Sequence, residues 1–275
     1  GTISELVVAA DSRLSGGERW DACAKVFSAG DSGSFIAFAG HTDRALPLIL
    51  QAVSTITSYR GSELRTLDIS KLSGHLRQVM NEVLSHADGP AAEDPPGCEF
   101  MLGGWSWLFG KFRLYKYAFD ARDREFKCFP ITHTPKSLGR GSAAPFYATI
   151  GDGGKAVTSW MAEKRRGEKS PLELQPLEAL HQVSLDPKHD SVGGPIQVAK
   201  VYRSMRVEHF AVSIDGRTSV AGRPVLGYEN VDLRTLQRLD DGTWTTESQF
   251  RRLTRDDAEP TSTTADGLTD ESPEA

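Results

Sequence analysis

The apolar run "ELVVAADSR" stops on Asp11, Ser12 and Arg13, and the run "AKVF" places Lys25 at its own beginning. Asp and Lys are residue types that acid–base chemistry uses. By themselves both residues have plainer readings. An Asp directly after a strand is commonly a turn-former or cap, and a Lys at a strand start is commonly a solvated edge charge. Gly40, at the end of "FIAFAG", can serve only to let a strand turn into a helix. His41 lies one step from a helix cap and reads as structural or exposed. The "GDGG" stretch at 151–154 lacks the Lys-Ser/Thr that a phosphate loop needs. His133, His189 and the three cysteines Cys23, Cys98 and Cys128 show no spacing suited to zinc. No metal and no cofactor are expected.

The elements that would hold these groups follow from hydrophobic period. Residues 3–10 read as a buried strand, 24–28 and 34–39 as two more, with a tight turn at Asp31-Ser32-Gly33. Helical period follows: Ala45, Leu46, Ile49, Ala52, Val53 and Ile56 share one face behind a cap at Thr42 or Asp43. A second helix from about Ser70 carries Leu72, Leu76, Val79, Val83 and Leu84. "CEFMLGGWSW", "KFRLYKYAFD" and "REFKCFPI" read as strands, and "PFYATIGDGG" as a further strand ending in a glycine-rich turn. Helices are expected over 155–166 and from about Pro171 to Leu185, then strands in "PIQVAKVYR" and "VEHFAVSI". Strands, two helices, strands, two helices, strands, joined by short turns, imply antiparallel sheets. The expected class is α+β, as a four-layer α/β/β/α sandwich of two antiparallel sheets.

The 275 residues suffice for one large domain or two small ones. A hydrophobic content of 39% with 25% charged residues is that of an ordinary globular protein. The net charge of −5 speaks against a general nucleic-acid binder, and no apolar run approaches the ~20 residues that span a membrane. Three widely spaced cysteines fit free thiols in a reducing compartment, and with no basic-plus-apolar leader the chain reads as cytoplasmic. The sequence starts at Gly1 rather than a methionine, as a processed chain or a fragment does. From Asp256 onward seven acidic residues, no basic ones and many Ser, Thr and Pro predict a disordered tail.

The element order, with "VVAADSR", "AKVF", "FIAFAGHTDR", "YATIGDGG" and "DSVGGPIQVAKV", resembles the proteasome β-subunit family. That family includes the HslV-type peptidases among the N-terminal-nucleophile (Ntn) hydrolases. The likeness runs from about Glu5 to Ile214. It implies a domain over 1–214 with the Ntn-hydrolase fold, a C-terminal extension over 215–255 with room for strands, and the acidic tail 256–275. The resemblance also implies an N-terminal Thr whose own amine is the base, assisted by Lys25 and Asp11. A backbone N–H of Gly40 would be the oxyanion donor, and Cys23, Phe38, Thr42 and Leu46 would line the pocket that selects the substrate side chain. An apolar pocket implies cleavage after hydrophobic residues. Homo-oligomeric rings, a peptide substrate and an ATP-dependent unfoldase are the implied partners, with no nucleic acid and no membrane.

Departures from the pattern accompany the likeness. Asp152 stands where the family has a Ser, and Val192 precedes Gly193 in "KHDSVGG". That shifts Asp190 and Ser191 by one, leaving Asp190, or His189 in its stead, for the accessory role. Gly1-Thr2 resembles a self-cleavage junction, so Thr2 is one candidate nucleophile. Thr2, however, lies only nine residues before Asp11, with no Gly, Pro or Asn at which to turn. Two strands of ~5 residues and a ~2-residue turn need more chain. The preferred expectation is a threonine-type peptidase whose nucleophile lies upstream of residue 1. The alternatives are a non-catalytic scaffold or binding protein, suggested by Asp152, Val192 and the acidic extension, and an Ntn amidohydrolase for a small amide.

Overall fold

The computed structural model describes residues 5–14, 18–89, 93–131, 147–164 and 174–247. Thr2, His133, the acidic tail 256–275 and the ends of several expected elements lie outside them. Among the described residues, five strands form one antiparallel sheet in the order β2 (Val26–Ser28), β3 (Ser34–Gly40), β4 (Cys98–Ser106), β5 (Lys111–Asp120), β6 (Glu125–Ile131). The second sheet runs β1 (Glu5–Ala10), β7 (Gln197–Tyr202), β8 (Val207–Ile214), β11 (Thr235–Arg238), β12 (Trp244–Glu247). The hairpin of β9 (Arg217–Val220) and β10 (Arg223–Pro224) also joins β8. Period-two alternation decides which side chains face which layer. On β3, Phe35 and Ala37 face the second sheet, meeting Leu6, Val8, Ala199 and Val201. Ile36 and Phe38 face the opposite way, beneath helices α1 (Thr42–Ser58) and α3 (Ile69–Ser85). Gly103 of β4 lets the sheets approach, since a Cβ there would stand 2.3 Å from the Phe35 ring.

The expected four-layer sandwich of two antiparallel sheets is corrected to a mixed α+β arrangement. The second sheet is itself mixed, because β11 pairs parallel to β8 over Thr235–Gln237. It also forks. β8 bonds β7 through Val207–Phe210, then β9 and β11 through Ala211 and beyond. Helical cover is uneven too: α5 (Gln175–Leu185) sits on this sheet through Leu177. By contrast α4 (Gly154–Lys164) packs chiefly with α5 through Val157, Met161, Ala179 and Val183. The segment Tyr147–Ile150, expected as a strand, is irregular; Ala148 and Ile150 fill the space between the sheets instead of joining a ladder. A short helix α2 (Arg60–Glu63) was not foreseen.

Helix starts also differ from expectation for local reasons. Thr42 is the first helical residue of α1, and His41 occupies the cap position without a side-chain bond. On α3 the cap is Asp68, whose carboxylate accepts from Ser70 N at 2.9 Å, Ser106 Oγ at 2.8 Å and Leu108 N at 3.1 Å. Burial pushes this carboxyl up, but the bonds from Ser70, Leu108 and Ser106 prevail and hold it below its ordinary value. One side chain thus ties a helix start to the β4–β5 turn. Asp68→Ala is expected to cost about 2–4 kcal/mol, the loss of a cap plus orphaned buried donors, read by urea denaturation. Asp68→Asn should cost clearly less; equal losses would mean that charge, not acceptor geometry, is what the site uses.

Candidate active site

Ala10 pairs with Gln197 at the end of the β1–β7 ladder, so Asp11 emerges where the two sheets come together. Its Oδ1 accepts from Lys25 Nζ at 2.9 Å, and its Oδ2 accepts from the backbone N–H groups of Arg13 and Gly193, each at 3.1 Å. The pair is shielded, with the Lys25 side chain 9% and the Asp11 side chain 14% exposed. Lys25 is not the solvated edge charge of the plain reading. Its backbone is fixed as well: its N–H donates to Gln197 Oε1 at 2.9 Å, and its carbonyl accepts from Phe38 N at 3.2 Å.

Gln197 is the residue that sequence reading missed. Its Oε1 accepts from Lys25 N and Val26 N, and its Nε2 donates to the carbonyls of Asp11 and Cys23, both at 3.0 Å. One amide therefore joins both sheets around the ion pair. The partners settle its orientation: two N–H groups need the oxygen and two carbonyls need the NH2. A signal was present, since Gln197 sits inside the apolar run Ile196–Ala199, where a buried polar side chain must be fully bonded. The β9–β10 turn closes over the same place. A Cβ on Gly222 (φ +83°) would stand 2.7 Å from Ser12 Cβ and 3.0 Å from Gln197 Nε2.

Arg13 supplies an outer clamp. It forms two bonds to Asp21, at 2.6 and 3.0 Å, and donates to the Asp190 carbonyl at 2.8 Å. The Arg13 bond holds the Asp21 carboxyl below its ordinary value. Asp190 belongs to this clamp, its carboxylate meeting Arg13 and Arg19 with the side chain 79% exposed. It makes no bond to Lys25 or Asp11.

The expected substrate-binding residues do not gather into one pocket. Phe38 is fully buried in the core beneath α1, stacked 6.5 Å from Phe27, and half-buried Leu46 packs against the same cluster. The physical reason is alternation, which turns Phe38 toward the helices while its neighbours face the sheets. Cys23 does lie beside the ion pair; burial raises its thiol above the ordinary value, with Lys25 opposing. Thr42 Oγ1 is buried without a partner among the described residues. Gly40 has φ +102°, and a Cβ there would stand 2.2 Å from Gly97 O, so the position requires glycine. Phe38 N bonds Lys25 O whereas His41 N bonds Gly97 O on the other edge. Strand alternation therefore aims the Gly40 N–H toward the Lys25 side. A surface cleft of about 520 Å³ between α3 and β5–β6 shares no residue with this site.

Among the described residues no group of three His, Cys, Asp or Glu side chains could hold a metal ion. Cys23, Cys98 and Cys128 are free thiols, and no described helix is long and apolar enough to cross a membrane. A second polar couple joins the sheets elsewhere: Ser28 Oγ lies 2.8 Å from His209 Nε2. Burial lowers the His209 imidazole below its ordinary value. The unfolded chain therefore binds more protons than the folded one just below pH ~6.5. Stability should be complete above that pH and fall as pH drops from ~6.5 toward 5. His209→Gln should flatten this slope in urea titrations run across the range. An unchanged slope would assign it to another group.

The fold just described is similar to that of Anbu, an ancestral beta-subunit. Anbu (ancestral beta-subunit) from Yersinia bercovieri is similar with a TM-score of 0.52 and 16% identity, over 76% of this chain and 83% of that chain. An Anbu complex from Pseudomonas aeruginosa, described as a helical assembly, gives a TM-score of 0.49 at 18% identity, over 80% and 84%. No family model matches the chain, and no curated protein does. The assignment to the proteasome β-subunit/HslV-like peptidase family is corrected accordingly: the similar structures are Anbu proteins, and the likeness is one of fold.

Proposed function

We propose that this chain hydrolyses amide bonds, with a threonine-type N-terminal nucleophile served by the Asp11–Lys25 pair. The observation that carries the reading is that pair itself: a shielded ammonium held at 2.9 Å from a carboxylate that two backbone N–H groups also fix. An ammonium so placed favours the deprotonated form of a neighbouring hydroxyl, and the Gly40 N–H offers an oxyanion donor on the same side. β1 is the outer strand of its sheet among the described residues. A strand carrying the nucleophile along its free edge, from upstream of residue 1, would reach Asp11; Thr2 is the alternative nucleophile. Peptide is the proposed substrate, and a homo-oligomer, ring-shaped and fed by an ATP-dependent unfoldase, the proposed working form. Exposed Leu50, Leu64 and Leu185 supply apolar surface for such contacts, and three free thiols accord with a cytoplasmic location.

One observation favours a second reading, a non-catalytic scaffold. Val192, where the resemblance implies a catalytic Ser nearby, is buried among α4 and α5 side chains. The test is to identify the N-terminal residue of the native protein by mass spectrometry, then expose it to a hydroxyl-directed electrophile and fluorogenic peptides. Labelling of an N-terminal Thr, Ser or Cys together with peptide cleavage supports the peptidase. Cleavage of small amides alone would move the substrate to that class. No labelling leaves the scaffold.

A further inference from the structure

The end of the fold remote from Asp11 and Lys25 gathers cations around an exposed apolar turn. Trp107, Leu108 and Phe109, about half exposed, form the β4–β5 turn, and Asp68 and Ser106 hold its backbone in place. Lys111 follows the turn, Arg113 stacks 4.4 Å from the Phe109 ring, and Arg203 lies 5.3 Å from the Trp105 ring. Arg206, exposed on the β7–β8 turn, adds a fourth cation, shared with Glu208. The carboxylates nearby are already engaged: Glu208 by Arg206 and Arg234, Glu5 by Lys200, and buried Asp68 by its N–H donors. Asp31, on the β2–β3 turn, is the exposed exception.

The described chain leaves toward this same end. β11 runs parallel to β8 with Thr235 level with Ala211, and β12 returns antiparallel so that Glu247 is level with Thr235. Glu247 therefore heads toward the β7–β8 turn. Three strand spacings, one sheet-to-sheet step and about four residues of strand rise from the level of Ala211 put the apolar turn roughly 20–25 Å away. Eight residues separate Glu247 from Asp256, a reach of up to ~30 Å when extended. The stretch 256–275 then carries seven acidic and no basic residues, and its one large apolar residue, Leu268, is flanked by Asp266, Asp270 and Glu271.

We propose that segment 256–275 docks on this end of its own chain, with Leu268 on the Trp107–Phe109 turn and its carboxylates on Lys111, Arg113, Arg203 and Arg206. Charge complementarity, the heading of β12 and the match of one apolar residue to one apolar turn all select that occupant. The surface is thereby covered, and salt weakens the cover.

Carbodiimide coupling on the full chain tests it, because it joins a carboxylate to an amine only when the two touch. At low ionic strength, Asp266, Asp270 or Glu271 should couple to Lys111 on the order of tenfold more than to exposed Lys155 or Lys188, as an intramolecular contact requires. The excess should vanish in ~1 M salt, and Leu268→Ser should reduce it severalfold. Lys111→Arg keeps the charge and removes the amine, so it identifies the coupled peptide. Coupling no stronger at Lys111 than at Lys188 overturns the proposal. So does coupling found only between isotopically distinct copies, which would assign the surface to a second molecule.

Discussion

Lys25→Met is expected to abolish the proposed hydrolysis and to lower stability by about 3–5 kcal/mol, because it strands a shielded Asp11 carboxylate. The geometry sets both halves of that expectation. The Lys25 and Asp11 side chains are 9% and 14% exposed, so water recovers little of the lost attraction. The Arg13 and Gly193 N–H groups stay on Oδ2, but Oδ1 loses its bond from the ammonium at 2.9 Å, which no other described donor replaces. The double variant Asp11→Asn/Lys25→Met separates structure from chemistry. Neutral, similarly shaped side chains are tolerated where half an ion pair is not, so most of the lost stability should return while activity stays absent. Urea denaturation and peptide cleavage, run on both variants, check the two halves. A double variant that cleaves peptides would remove the ion pair from the mechanism. A single variant as stable as the parent would show that the two charges are not coupled.

Gln197→Leu should be nearly as damaging, by about 3–5 kcal/mol. It leaves two N–H groups and two carbonyls unbonded, each worth ~1–3 kcal/mol when buried, and the four losses will not simply add. The placement matters more than the sum. Gln197 is 3% exposed and holds the backbone of Lys25, Val26, Asp11 and Cys23. Activity should therefore fall together with stability, because the ion pair loses its register as the sheets separate. Gln197→Glu sharpens the expectation. It keeps an acceptor for the two N–H groups but turns a carboxylate oxygen toward two carbonyls, so it should be at least as harmful as Leu. A benign Gln197→Glu would mean that the two donated bonds contribute little. The decisive measurement pairs the denaturation midpoint with kcat and KM: a positioning residue should lower kcat beyond what the unfolded fraction explains.

Most of the individual strands and helices were legible in the sequence, because local period records which face is buried. "KFRLYKYAFD" is β5 from Lys111 to Asp120 as read, and Ala45, Ile49, Ala52 and Ile56 are buried along α1 as their spacing required. Asp11 and Lys25 were paired only by the resemblance to a known family; read from the chain alone, they were a turn-former and a solvated edge charge. Three things were not legible. The parallel pairing of β11 with β8 depends on which edge of β8 remained open after the β9–β10 hairpin turned back. The burial of Phe38 in the core beneath α1 depends on which face of β3 meets the helices. Gln197 owes its role to partners more than 170 residues away in the chain. By itself the sequence determined most of the elements, since hydrophobic period is a local property. The tertiary structure alone decided how closely Asp11 and Lys25 meet, and what holds them, since a distance between remote residues arises only when the sheets close on each other.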